Sequence, residues 1–408
     1  LQFKSITRKA DSDQYIAGLQ SDLETETSEA CCELARSAIR FIREEGSREA
    51  LTRRFFLIFQ YEAASGHYQM NVDYSEIYAA LQTAAQNART YFSQCGNNIV
   101  QPKDEDAFLA ELIYMFFNRR SCVDDSFLDR LDRIVVDAML AKKRTIGVDP
   151  LPNIRDVNFV APRGIDLTHS NYVIMDGSYY TYLYIRKGGY PTTVRGGWMS
   201  ALINAGEGID VDLFLQREIR GKTIDRVAQR IRLNRTKLRE TDALGELQDT
   251  STDYEELASS IQAGYYIKHG LSSNNEDLFY MSVLITVSAA SYRELLWRKQ
   301  QITDMLKSMD IQVRDCVFQQ EEALRSTMPF LRLASDLERK AKRNVLTSGA
   351  ASSYMFTSFE LSDDNGILLG LNRHNNSLCI VDPFNTKRYK NANFMICGTS
   401  GSGKTVTI

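Results

Sequence analysis

The stretch CGTSGSGKTVTI, residues 397–408, constrains the fold of this chain more than any other. Gly398, Gly403, Lys404 and Thr405 spell G-x-x-x-x-G-K-T, and Gly401 adds a third glycine. Glycines so spaced let the backbone curl until successive N–H groups point at one anion, and the start of the next helix adds its dipole. The loop Gly398, Thr399, Ser400, Gly401, Ser402, Gly403, Lys404, Thr405 therefore reads as a cradle for nucleotide phosphates. Lys404 is the candidate catalytic residue, reaching the β- and γ-phosphates, and the Thr405 hydroxyl is the candidate Mg²⁺ ligand. Such a loop joins a strand to a helix. "NFMIC", residues 393–397, is the expected strand.

A strand ending in the Mg²⁺-binding acid should follow such a loop. "LCIVD", ending in Asp382, and "RIVVD", ending in Asp137, mimic one, but both precede the loop and would need a permuted fold. The chain begins at Leu1 and stops at Ile408, and is expected to be an internal piece of a longer protein that does not hydrolyse nucleotide by itself.

With 408 residues, 43% hydrophobic and 25% charged, the chain suggests two or three domains of about 100–200 residues each. A net charge of −3 and a pI near 6.0 argue against a dedicated nucleic-acid binder. Seven cysteines, an odd count with no C-x-x-C, read as reduced thiols. Four histidines, far apart, give no metal cluster or histidine triad. No apolar run approaches the roughly 18 residues of a membrane span, and no signal peptide is visible.

Residues 1–146 read as a mixed, mostly helical domain. "SEACCELARSAIRFIREEG" sets Cys31, Ala35, Ala38, Ile39 and Ile42 on one helical face, with Gly46 as the stop. Phe55 to Phe59 read as a strand, and a helix is expected from Asp73 through Phe92. Two more helices are expected near "EDAFLAELIYMFFNRR" and "DSFLDRLDRIVVDAMLAKKR".

Residues 147–345 read as an α+β domain, entered through a Pro-rich stretch at about 147–168. "NYVIMDGSYYTYLYIR" is a hairpin around Asp176-Gly177. A short helix, the strand "IDVDLFLQ", helices over Lys222–Glu240 and Asp253–His269, a long strand with Phe279, Met281, Val283, Ile285 and Val287 on one face, a helix and the strand "IQVRDCVFQ" follow. Two strand–helix–strand units sharing an antiparallel sheet make a ferredoxin-like α+β sandwich, with the two long helices inserted between its halves. Residues 346–390 read as a polar connector and a hairpin turning at "NRHNN", and 391–408 as the start of a P-loop α/β domain.

The segments "GILLGLNRHNN", "IVDPF" and "NANFMICGTSGSGKT" together resemble the entry to the ATPase domain of the large cytoplasmic ATPases of type IV secretion and conjugative transfer systems, in the FtsK–HerA superfamily. The similarity in order of elements extends over about residues 150–408. The resemblance implies ATP and Mg²⁺ as cofactors, a homo-oligomer peripheral to the cytoplasmic face of the membrane, and docking of the region before the loop on other channel proteins. It leaves two alternatives: a non-catalytic docking or oligomerisation module, and a DNA-pumping motor of the same superfamily without a secretion channel.

Arg217, Arg220, Lys222, Arg226, Arg230, Arg232, Arg235, Lys237 and Arg239 crowd one region. They read either as a contact for DNA, acidic lipid or an acidic partner, or as a solvated helix face with Ile224, Val227, Ile231 and Leu238 turned inward. The second reading is preferred. Tyr179, Tyr180, Tyr182 and Tyr184 suit either a stacking platform or, more simply, the packing face of a sheet.

Overall fold

The structure, a computed structural model, describes residues 1–9, 12–46, 50–59, 74–95, 164–244, 251–329, 331–357, 361–363 and 366–386, with 99, 162, 389, 391–393, 395 and 397. The helices expected near 105–120 and 125–144, and most of the 147–168 stretch, lie outside the described residues. By backbone contacts the chain forms two compact units, both discontinuous in sequence: Leu1–Ile6, Phe55–Ile203 and Gly208–Phe356; and Thr7–Arg54, Asn204–Glu207 and Thr357–Ile408.

The chain carries a large antiparallel sheet, most of whose residues belong to the first unit, which is α+β. The strands of the sheet are β1 (Gln2–Lys9), β2 (Leu51–Ile58), β3 (Ile165–Asp166), β4 (Val173–Met175), β5 (Ser178–Ile185), β6 (Ile209–Arg217), β7 (Leu278–Ala289), β8 (Val313–Asp315) and β9 (Arg343–Leu346). The order is β2-β1-β6-β7-β5-β4-β3, with β8 also on β5 and β9 also on β7. Within it, β8-β5-β7-β6 carries the two expected strand–helix–strand units interleaved, every neighbour antiparallel. The first crossover helix is a single turn, α4 (Ser200–Ile203); the second is α7 (Tyr292–Ser308), opened by Ser291, whose hydroxyl accepts the Glu294 N–H at 3.3 Å.

Local chemistry accounts for the elements. Asp176 and Gly177 both take positive φ, 49° and 81°, as the two-residue turn between β4 and β5 demands. Strand β7 is paired along both edges, by β6 on one side and by β5 and then β9 on the other. Met281 through Ala289 are all buried, so both faces of this stretch are covered. Val283, Ile285 and Val287 share one face with Leu183, Ile185, Val211 and Leu213. The opposite face carries Tyr180, Tyr182 and Tyr184, covered by α8 (Gln320–Thr327) and α9 (Ser335–Ala341) through Ala323, Leu324, Leu337 and Ala341. Each large side chain so buried contributes about 1.5–3 kcal/mol.

That second face turns polar toward β1. Lys4 stands opposite Asp212 in register, its Nζ 2.7 Å from Oδ2, and Gln2 Nε2 donates to Oδ1 at 2.8 Å. Both charges are buried, with side chains 3% and 0% exposed. Strand β1 thus joins this sheet from within the segment read as mostly helical. No hydrophobic periodicity marks it, because its ladder is completed by an ion pair across some 208 residues of sequence. Nearby, Phe356 is met edge-on by Phe3, Phe55, Phe92 and Tyr354 at 5.2–5.8 Å; Phe92 belongs to α3 (Tyr74–Gln94).

Between β6 and β7 stand α5 (Arg220–Leu244) and α6 (Ser251–Ser272), the expected insertion. They pack on each other where Ile231 is buried against Gly264; a Cβ there would fall 2.7 Å from Ile231 Cγ1. The stretch after 345 departs from a plain connector. Thr347–Ser352 forms a short helix, α10, and Ser353 and Met355 are buried. Its small residues let it lie close to β9, where a Cβ on Gly349 would fall 3.3 Å from Val345 Cβ.

The second unit joins α1 (Asp13–Thr25), α2 (Glu29–Phe41) with its π-helical last turn Ile42–Gly46, and the hairpin β10 (Ile367–Leu371) and β11 (Leu378–Val381). Its core is Ile42, Ala50, Leu378 and Ile380, with Tyr15, Ile16, Phe41, Leu368 and Leu371 against it. On α2 the expected inner face holds at Ile39 and Ile42, while Ala35 and Ala38 are half-buried and Cys31 is exposed.

Candidate functional site

The phosphate-loop residues Gly398 through Thr405, Lys404 among them, lie outside the described residues. What is described is the run-up to them. Asp363 organises it: the Asp363 N–H donates to the Ile380 carbonyl at 2.9 Å, and its Oδ2 accepts the Asp382 N–H at 2.7 Å and the Tyr389 hydroxyl at 3.2 Å. Leu361 accepts from Ile380 at 3.0 Å, so residues 361–363 lie parallel beside β11. Asp382 Oδ1 then accepts the Phe384 N–H at 3.0 Å and closes a turn. Asp382 is thus a turn residue.

Of the strand expected at 393–397, Phe394 and Ile396 lie outside the described residues. Its described residues, Asn393, Met395 and Cys397, are exposed and in no strand, with Met395 88% exposed. The Asn393 N–H donates to the Asn391 side-chain oxygen at 3.2 Å.

In the same unit, α1, α2 and β10 enclose a cleft of about 290 Å³. Its walls are mainly apolar, with Leu19, Leu23, Leu34 and Ile367, and its polar residues include Asp22 and Glu26. The Tyr15 hydroxyl fixes one wall by donating to the Gly366 carbonyl at 2.8 Å. Burial pushes the Tyr15 hydroxyl pKa up, and the Asp22 charge adds to the rise. Among the described residues no lysine, arginine or histidine lines the cleft.

The basic stretch falls largely on α5. At its foot Arg217 pairs with Asp277 at 2.8 Å, Arg220 with Asp277 at 3.7 Å, and Arg226 with Glu218 at 3.7 Å. Lys222, Arg230, Arg232 and Arg239 are exposed, while Ile231 is buried and Ile224, Val227 and Leu238 half-buried. This is the solvated-face arrangement. Arg235 donates to the Tyr265 hydroxyl at 3.3 Å across the two helices.

The tyrosine run divides between faces, as a strand requires. Tyr180, Tyr182 and Tyr184 are buried in the core, where burial drives the Tyr182 hydroxyl pKa well up, whereas Tyr179 emerges on the other side. The described cysteines, Cys31, Cys32, Cys95, Cys316, Cys379 and Cys397, are all free thiols. Among the described residues no group of three metal-ligating side chains converges, and no helix is long and apolar enough to cross a membrane. No family model matches the chain, and no curated protein is significantly similar to it.

Proposed function

We propose that this chain is part of an ATPase that powers conjugative DNA transfer or type IV secretion, with Gly398–Thr405 binding Mg·ATP and the region before the loop docking on channel components. The observation that carries the reading is the G-x-x-x-x-G-K-T loop directly behind the "GILLGLNRHNN" and "IVDPF" segments. The paired hairpin β10–β11, which those segments form, supports it. In this reading the first unit is a ferredoxin-like domain with a helical insertion, the loop opens a P-loop α/β domain, and the protein works as a homo-oligomer peripheral to the cytoplasmic face of the membrane. Lys404 holds the β- and γ-phosphates and Thr405 the Mg²⁺; the charges on the transferred phosphoryl group make both necessary.

The test is Mg·ATP binding by calorimetry on this chain and on the full product of its open reading frame, with Lys404→Ala as control. Saturable binding by the full product that Lys404→Ala abolishes supports the ATPase. No binding by the full product, even as an oligomer, removes the motor and leaves the docking module. That second reading draws on the mainly apolar cleft of the second unit, whose polar residues include Asp22 and Glu26. The exposed arginines of α5 fit a DNA-pumping motor, and a steep fall of DNA affinity with salt would mark it.

A further inference from the structure

At the end of the sheet where β3, β4 and β5 meet the start of α7, four aromatic rings gather at the surface. His169 stacks on Tyr172 with ring centroids 4.2 Å apart and planes 15° apart. Tyr292 lies 4.9 Å from Tyr172, and Tyr179 lies 6.0 Å from Tyr172 and 6.1 Å from Tyr292. Asp166 stands beside them, its Oδ2 3.7 Å from His169 Nε2. His169, Asp166 and Tyr292 are each about two-fifths exposed. No described lysine or arginine stacks on these rings, and none pairs with Asp166.

The cluster is held in place. The Gln320 amide donates to the Leu167 and His169 carbonyls, the Phe318 N–H to the Ser170 carbonyl at 2.7 Å, and the Thr181 hydroxyl to the Asn171 carbonyl at 2.8 Å. The Thr168 N–H and hydroxyl occupy Asp166 Oδ1 at 2.9 and 2.6 Å, which aligns the carboxylate. Phe318, tied to the same loop, is 80% exposed and sits at φ 55°. A left-handed conformation is unfavourable for a bulky residue and persists where the surroundings impose it. A large ring displayed to solvent at such a position is the kind of feature that anchors a partner.

We propose that this patch docks an arginine-bearing, apolar segment of a partner protein. Electron-rich ring faces attract a cation. A guanidinium can lie flat on the rings while its fork reaches a carboxylate, which a lysine ammonium cannot do with the same geometry. Asp166 repels a phosphodiester, so the patch is built against nucleic acid. Exposed Phe318 supplies the apolar contact next to the cation.

The test uses the full chain and a fluorescent hexapeptide of alternating leucine and arginine, compared with the same peptide carrying citrulline or lysine for arginine. Saturable binding is expected for the arginine peptide, about tenfold weaker for citrulline, a loss of about 1.4 kcal/mol. Tyr292→Ala, at an exposed position and checked for an intact fold by circular dichroism, is expected to weaken binding about tenfold. Tyr292→Phe keeps the ring face and leaves binding within about twofold. Equal binding of the citrulline peptide, or unaltered binding by Tyr292→Ala, overturns the proposal. So does a concentration-dependent dimer that Tyr292→Ala dissolves while no peptide binds, which assigns the patch to a second copy of the chain. Capture of an oligothymidine through the same rings overturns it as well.

Discussion

Replacing Lys4 by methionine removes one partner of a fully buried ion pair and leaves the other. Asp212, with no exposed surface, then keeps one side-chain donor, Gln2 Nε2 at 2.8 Å, in place of two. Breaking such a pair from one side typically costs about 3–5 kcal/mol, against a total stability of about 5–15 kcal/mol. The sign of the pH dependence follows from Asp212. Burial raises its folded-state pKa above 3.8; Lys4 and Gln2 oppose the rise, and the Asp210 charge adds to it. A carboxyl raised in this way penalises the fold at pH above its folded pKa, and the penalty is released as pH falls through that value toward 3.8. Without Lys4 the folded pKa climbs further. Lys4→Met should therefore cost about 3 kcal/mol or more at pH 7 and less at pH 4, close to the unfolded value of 3.8. Urea unfolding at both pH values measures this, with Asp212→Leu and the double variant completing a cycle. The double variant should recover most of the loss, since an apolar pair of similar volume replaces the buried charges. A cost under about 1 kcal/mol at pH 7, or one that does not shrink on acidification, would refute the reasoning.

Two further outcomes are expected. Gly366 has φ 142°, and a Cβ there would fall 2.5 Å from the Val381 carbonyl, backbone that cannot give way. Gly366→Ala should cost about 2–4 kcal/mol by thermal unfolding, whereas Gly370→Ala, at φ 138° in open space, pays only the conformational term of about 1–2 kcal/mol. Cys316 is buried, and burial pushes its thiol from 9.0 up to about 12. In the native protein at pH 8 iodoacetamide should label Cys31 and spare Cys316, read by mass spectrometry. The stability the Cys316 thiol contributes is present below pH 9 and is lost between pH 9 and about 12.

Local signals in the sequence were enough for local structure. The Asp176-Gly177 turn, the alternation through Phe279 and Val287, the helical insertion and the 367–381 hairpin all follow from backbone preference and side-chain period. The two strand–helix–strand units were legible in the same way, while their interleaving as β8-β5-β7-β6 came from the fold. The phosphate-loop motif is likewise legible from residues alone, because its chemistry is a short contiguous pattern.

Other features needed the folded chain. Strand β1 is specified by Lys4 meeting Asp212, a partner far away in sequence, and nothing in QFKSITRK announces it. The acidic cleft needs α1, α2 and β10, which lie at opposite ends of the chain. His169, Tyr172, Tyr179 and Tyr292 become one surface only because β4, β5 and α7 fold together. Short-range periodicity and turn chemistry are written in neighbouring residues. Pairing, burial and the convergence of distant side chains exist only once the whole chain has closed on itself.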